Sequence, residues 1–212
     1  MKERRLIVAK LGKFGVFVGV LLLASGCASG PSHTGSAATV GSYVIKQDVV
    51  TNQLSEVMSQ ISQMQTTTTP PSASAIGQAI VNRLVITKIV DTALKSLKIK
   101  VTDAQIQQFK NQVYAQYGGQ SSVDGQLATT QGMPASQADS VFKTYLAEGI
   151  IGSTLLPNGT SQERNQATSR YLLMLGSATR IEVSPRYGTW DPTKLAAADV
   201  DNSLSTLAPT GQ

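Results

Sequence analysis

Ile76-Gly77-Gln78-Ala79-Ile80-Val81-Asn82-Arg83-Leu84-Val85-Ile86-Thr87-Lys88-Ile89-Val90-Asp91-Thr92-Ala93-Leu94 places apolar side chains on more than one face of a helix. Ile76, Ile80, Leu84, Ile86, Ile89, Val90, Ala93, Leu94 and Leu97 are too many for a single buried stripe. A helix from about Ala73 to Leu97 with so little polar surface belongs at the centre of other helices. The rest of the chain has to supply them.

It does so on both sides. Upstream, Val50, Leu54, Val57, Met58, Ile61 and Met64 fall at helical spacing, so a first helix runs from about Gln47 to Met64. The threonines ahead of Pro70-Pro71 end it, because proline restricts both itself and its predecessor. Val40 to Ile45 is extended, with Gly41-Ser42 as a turn. Downstream, Ile99-Lys100-Val101 links to Thr102, whose hydroxyl forms a capping box with Gln105 and opens a third helix. That helix carries Ile106, Phe109 and Val113 inward and stops at Gly118-Gly119. A short helix over Ser122 to Thr130 follows, with Gly132 behind it. Pro134 lies near the first turn of a fifth helix, a position that tolerates proline, and Ala138, Val141, Phe142, Tyr145, Leu146, Ile150 and Leu155 form its stripe. Pro157-Asn158-Gly159 breaks the chain, and a second capping box, Thr160 with Glu163, opens a sixth helix with Ala167, Tyr171, Met174, Leu175 and Ala178 inward. Ile181 and Val183 alternate with polar neighbours ahead of Pro185, which predicts a short strand paired with Val40–Ile45. From Thr193 onward the pattern is weak, as in a loose tail. The fold class is mainly α, a bundle of about six helices with a small β element that joins the N- and C-terminal ends of the domain.

The first residues obey a different logic. Lys2, Arg4, Arg5, Lys10 and Lys13 precede an uncharged stretch from Phe14 to Ala24, then Ser25-Gly26-Cys27. Basic, apolar, then small is the order of a secretory signal peptide, and the apolar part is too short for a membrane-spanning helix. Leu23-Ala24-Ser25-Gly26-Cys27 resembles the lipobox of bacterial lipoproteins, with Ala24 where leucine is commoner. The resemblance implies cleavage before Cys27, acylation of that cysteine and an anchor in a membrane outside the cytoplasm, most simply the cell membrane. The expected organisation is a leader over 1–26, a lipidated cysteine and flexible tether over 27–39, a helical domain over 40–192 and a tail over 193–212. No second long apolar run is evident as a span, so the lipid alone is expected to hold the membrane. The leader contains five of the 18 Lys+Arg and one of the 13 Asp+Glu, leaving 13 basic and 12 acidic residues. The positive net charge therefore belongs mostly to the leader and gives no argument for nucleic acid.

Asn82 through Ile106, passing through Leu97-Lys98-Ile99-Lys100-Val101-Thr102-Asp103-Ala104-Gln105, resembles the SurA N-terminal domain family. Ala115-Gln116-Tyr117-Gly118-Gly119, Gly132-Met133 and the ending Pro185-Arg186-Tyr187-Gly188-Thr189-Trp190-Asp191-Pro192 fit small SurA-like lipoproteins. The likeness extends over about residues 39–192. It implies a helical chaperone module that binds unfolded exported polypeptides without a nucleotide. Larger relatives insert a parvulin prolyl isomerase before the last helix; here Leu156–Thr160 bridges that gap.

His33 is the only histidine and Cys27 the only cysteine, both outside the expected helices, so no Ser-His-Asp, Cys-His or metal-ligand pattern can be drawn. No glycine-rich phosphate loop is present. The expectation is a non-enzyme without cofactor or metal. Met58, Met64, Tyr114, Tyr117, Met133 and Tyr145, with Met174, are candidates for an adaptable apolar cradle, since methionine accepts varied shapes; taken singly, each is better explained as core. Among them Met133, between a glycine and a proline, is expected to be the most exposed. Pro185, Arg186, Tyr187, Gly188 and Trp190 have the composition of an interface but follow the closing strand, so pinning the chain end onto the bundle is the favoured role. Two functions follow: a membrane-anchored, ATP-independent holdase, or an envelope scaffold with one dedicated partner.

Overall fold

The computed structural model describes residues 35–64 and 69–198. Cys27, the leader, the first part of the tether and the last part of the tail lie outside the described residues. The chain opens with strands β1 (Ser36–Val40) and β2 (Tyr43–Lys46), followed by helices α1 (Gln47–Gln63), α2 (Ala73–Ser96), α3 (Asp103–Gln116), α4 (Gln120–Gln131), α5 (Ala138–Leu155) and α6 (Ser161–Ala178). It closes with β3 (Ile181–Val183), a 3-10 turn over Pro185–Tyr187, and the strands β4 (Thr189–Asp191) and β5 (Ala196–Ala198).

Helix α2 is the axis, as its sequence demands. It touches α1, α4, α5, α6 and β1, and Ile80, Val81, Val85, Val90 and Ala93 are fully or almost fully buried. By length and composition it is apolar enough to cross a membrane, yet here it serves as the core of a helical bundle. A second, smaller core gathers Ile106, Val123, Met133, Val141 and Phe142 between α3, α4 and α5. There Phe109 and Tyr114 meet Phe142 edge-on at 6.1 and 5.3 Å.

The helix ends follow local chemistry. Both capping boxes form: the Thr102 hydroxyl accepts from the Gln105 amide and the Thr160 hydroxyl from the Glu163 amide, each at 3.3 Å. Lys46 precedes α1 without a side-chain cap, and Asp48 supplies the negative charge of the first turn. The α5–α6 loop is closed by Arg164, which donates to the carbonyls of Leu156 and Pro157. Gly132 ends α4 at φ 57, where a Cβ would lie 2.5 Å from Ile80 Cγ1 and 3.0 Å from the Ile76 carbonyl. Only glycine brings α4 this close to α2.

The three-stranded sheet has the order β2-β1-β3, antiparallel throughout. Val40 pairs with Tyr43 across the Gly41-Ser42 loop, while Ala38, Thr39 and Val40 pair with Val183, Glu182 and Ile181. Two expectations are corrected here. The segment 36–39, expected as tether, is the buried central strand, because small side chains let β1 sit between two strands against α2. The tail expected from Thr193 contains β5, which pairs with β4.

Candidate functional site

The residues named from sequence do not converge on one surface. Met58 and Tyr117 are exposed on α1 and at the end of α3, at 37% and 58%. Met64 packs beside Gly125, where a Cβ would meet its methyl at 2.6 Å. Tyr114 donates to Asp124 at 2.8 Å from within the smaller core, and burial together with that carboxylate pushes its hydroxyl well above the usual tyrosine range. Met133 is fully buried, against the expectation of exposure, because the left-handed turn at Gly132 aims the chain into the smaller core of α3, α4 and α5. Met174, expected inward, is 57% exposed. Of the named cradle residues, Tyr145 is the one that lines the cavity described below.

The Pro185–Trp190 motif sits against the bundle. Tyr187 is buried, its ring lies 3.2 Å from where a Gly77 Cβ would be, and its hydroxyl accepts from Gln47 at 2.5 Å. Gly188 has φ 102, and a side chain there would overlap the Ala198 carbonyl. Trp190 packs on the main core with its indole N–H buried and unpaired. Arg186 is exposed.

A cavity of about 270 Å³ opens between α2, the end of α4, and α5. Ile86, Val141 and Tyr145 give it apolar walls, and Asn82, Thr130, Gln131 and Thr144 give it polar ones. Ile86 and Glu148 also line a second cavity of about 500 Å³, bounded by Thr168 and Leu172 of α6 and by Thr193–Leu195. The two therefore share a wall on one face of α2, α5 and α6. A third hollow, on α1, is a structural seam: there Glu56 and Gln60 accept hydrogen bonds from Ser136 and Ala135, docking the turn before α5.

Charge in the shared groove is sparse. Arg83 is 8% exposed and donates to the Gln53 side chain at 2.5 Å and to the carbonyls of Gln131 and Gly132. Burial pulls its pKa down to about 10, which still leaves it cationic at neutral pH. Burial pushes the Glu148 carboxyl up from the usual carboxylate range. Burial likewise raises the Tyr145 hydroxyl, while Gln131 and Arg83 pull the other way and Glu148 adds to the rise. The sequence reading missed Arg83 and Glu148. The signal for Arg83 was available: a helix apolar on several faces leaves little room for a solvated arginine. Among the described residues no cluster of His, Cys, Asp and Glu could hold a metal ion.

The profile of the SurA-like N-terminal domain matches residues 2–132. The chain belongs to that family. The SurA-like match takes in the α2 and α4 walls of the groove and ends at Gly132, so α5, α6 and the Pro185–Trp190 motif lie beyond it. No curated protein matches this SurA-like chain.

Proposed function

We propose that the protein is a non-catalytic, ATP-independent chaperone of exported polypeptides, anchored to the outer face of the cell membrane through an acylated Cys27. Its membership of a chaperone-type family supports this reading. The observation that carries it beyond the family is the groove between α2, α5 and α6. That groove joins two cavities, is walled largely by aliphatic and uncharged polar side chains with Arg83, Glu148 and Lys194 among them, and has open sides that an extended segment needs. Weak burial of a client's apolar side chains there would delay aggregation without covalent chemistry. A flat exposed patch centred on Trp190 would favour the dedicated-scaffold alternative; Trp190 and Tyr187 pack against the core instead.

The test is aggregation suppression by the full chain in lipid nanodiscs, with two unrelated unfolding proteins and empty nanodiscs as control. Protection of both clients near equimolar ratio is the expected result. Failure with both would remove the general holdase.

A further inference from the structure

Arg83 is a buried cation that forms no ion pair with a carboxylate among the described residues. All three of its hydrogen bonds go to neutral oxygens through Nε and Nη2, and Nη1 has no partner among the described residues. The ion pairs formed by the described residues use other cations. Leaving such a group in a poorly solvated site is costly unless an anion answers it, and arginine does not discharge near neutral pH. The cavity that Arg83 lines supplies the room: at about 270 Å³ it can take a side chain bearing a carboxylate with its apolar carbons. Gln53 and the end of α4 fix the guanidinium from one side. A planar, preset fork suits a carboxylate better than a point charge would.

We infer that the Arg83 cavity is a carboxylate subsite of the groove, receiving an aspartate or glutamate side chain of an extended client segment whose aliphatic neighbours lie against Ile86, Val141 and Leu172. This rests on the groove being the client surface. Glu148, on the wall shared by the two cavities, gives the subsite direction. An acid is attracted at the Arg83 end and repelled at the Glu148 end, so one register of an acidic segment is favoured over its shifted alternatives. Tyr145, between them on α5, and Lys194, on the rim of the second cavity, are the other ionisable groups that line the two cavities.

The experiment uses the full chain in nanodiscs and three labelled, otherwise identical aliphatic peptides with Asp, Asn or Lys at the centre, read by fluorescence anisotropy. The Asp peptide is expected to bind about tenfold tighter than the Asn peptide and the Lys peptide weakest. Arg83→Gln is expected to abolish the Asp preference, so that the Asp and Asn peptides bind alike, and Glu148→Gln to strengthen Asp-peptide binding. Should Arg83→Gln fail to fold, the native preference and its increase in Glu148→Gln carry the decision. Equal binding of all three peptides overturns the subsite and leaves the groove reading standing. No binding of any peptide overturns both. Asp199 and Asp201 follow Ala198, whose carbonyl accepts from Gln78 on α2 at 3.1 Å. If neutralising both as D199N and D201N tightens Asp-peptide binding, the chain's own acids answer Arg83, and the assignment to clients is overturned.

Discussion

Glu148 sits where burial holds its carboxyl in the protonated form to a higher pH than in an unfolded chain. Its folded pKa is raised, so its favourable contribution is complete below the unfolded value and is lost as pH rises through the folded one. Glu148→Gln is therefore expected to raise Tm at neutral pH and to change it little below the carboxylate range, as measured by circular dichroism melts at both. Equal shifts at the two pH values would show a well-solvated carboxylate. The lowered groups Asp139 and Glu163, held by Lys110 and by Thr160, act with the opposite sign and lose their contribution as pH falls. Met133 makes a sharper case. Fully buried against Phe142 and Ile106, it should cost about 2–5 kcal/mol on truncation to Ala, against less than about 0.5 kcal/mol for Tyr117→Ala on the surface. Urea titrations compare the two, and similar losses would place Met133 outside the core. Its neighbours hid this: Gly132 and Pro134 look like an exposed loop in sequence, but the glycine is there for close approach to Ile80 and Ile76. Arg83 escaped notice despite its apolar neighbours, since a charge inside an apolar run is ordinarily taken for the wet face.

The elements were far more legible than their side chains. Periodicity and glycine or proline stops placed the six helices, and both capping boxes were visible as Thr102 with Gln105 and Thr160 with Glu163 because their chemistry is local. Local origin makes them testable in both directions. Thr160→Ala is expected to cost about 1 kcal/mol by freeing the Glu163 amide, while Lys46→Ser should add a comparable amount by capping α1 where no side chain now does. Chemical denaturation of the two variants would read both, and a neutral Lys46→Ser would mean that its place in β2 prevents the cap. The start of β1 and the whole of β5 could not be read. Ser36-Ala37-Ala38-Thr39 and Ala196-Ala197-Ala198 have little strand propensity, and they are strands because of what lies beside them.

At the scale of the molecule, α2 is the axis of the bundle while β4 and β5 form a separate two-stranded pair, away from the three-stranded sheet's hydrogen bonds. Hydrogen exchange should follow that layout: amides from Ile80 to Val90 exchange only on global unfolding, and those of Thr189–Asp191 exchange through local opening. Comparable protection of the two would show that the closing hairpin is part of the cooperative unit. The sheet also has a mechanical meaning. The chain enters at Gly35, whose carbonyl accepts from Gln47, and the first rungs beyond it join Ser36 to Lys46 and Ala37 to Ser184. A pull arriving along the preceding residues therefore loads these rungs one after another, in the manner of a zipper, instead of straining the whole strand in shear. The first strand would peel from its two neighbours while the helices behind it stayed packed, giving the domain a yielding joint at the edge where Gly35 enters it.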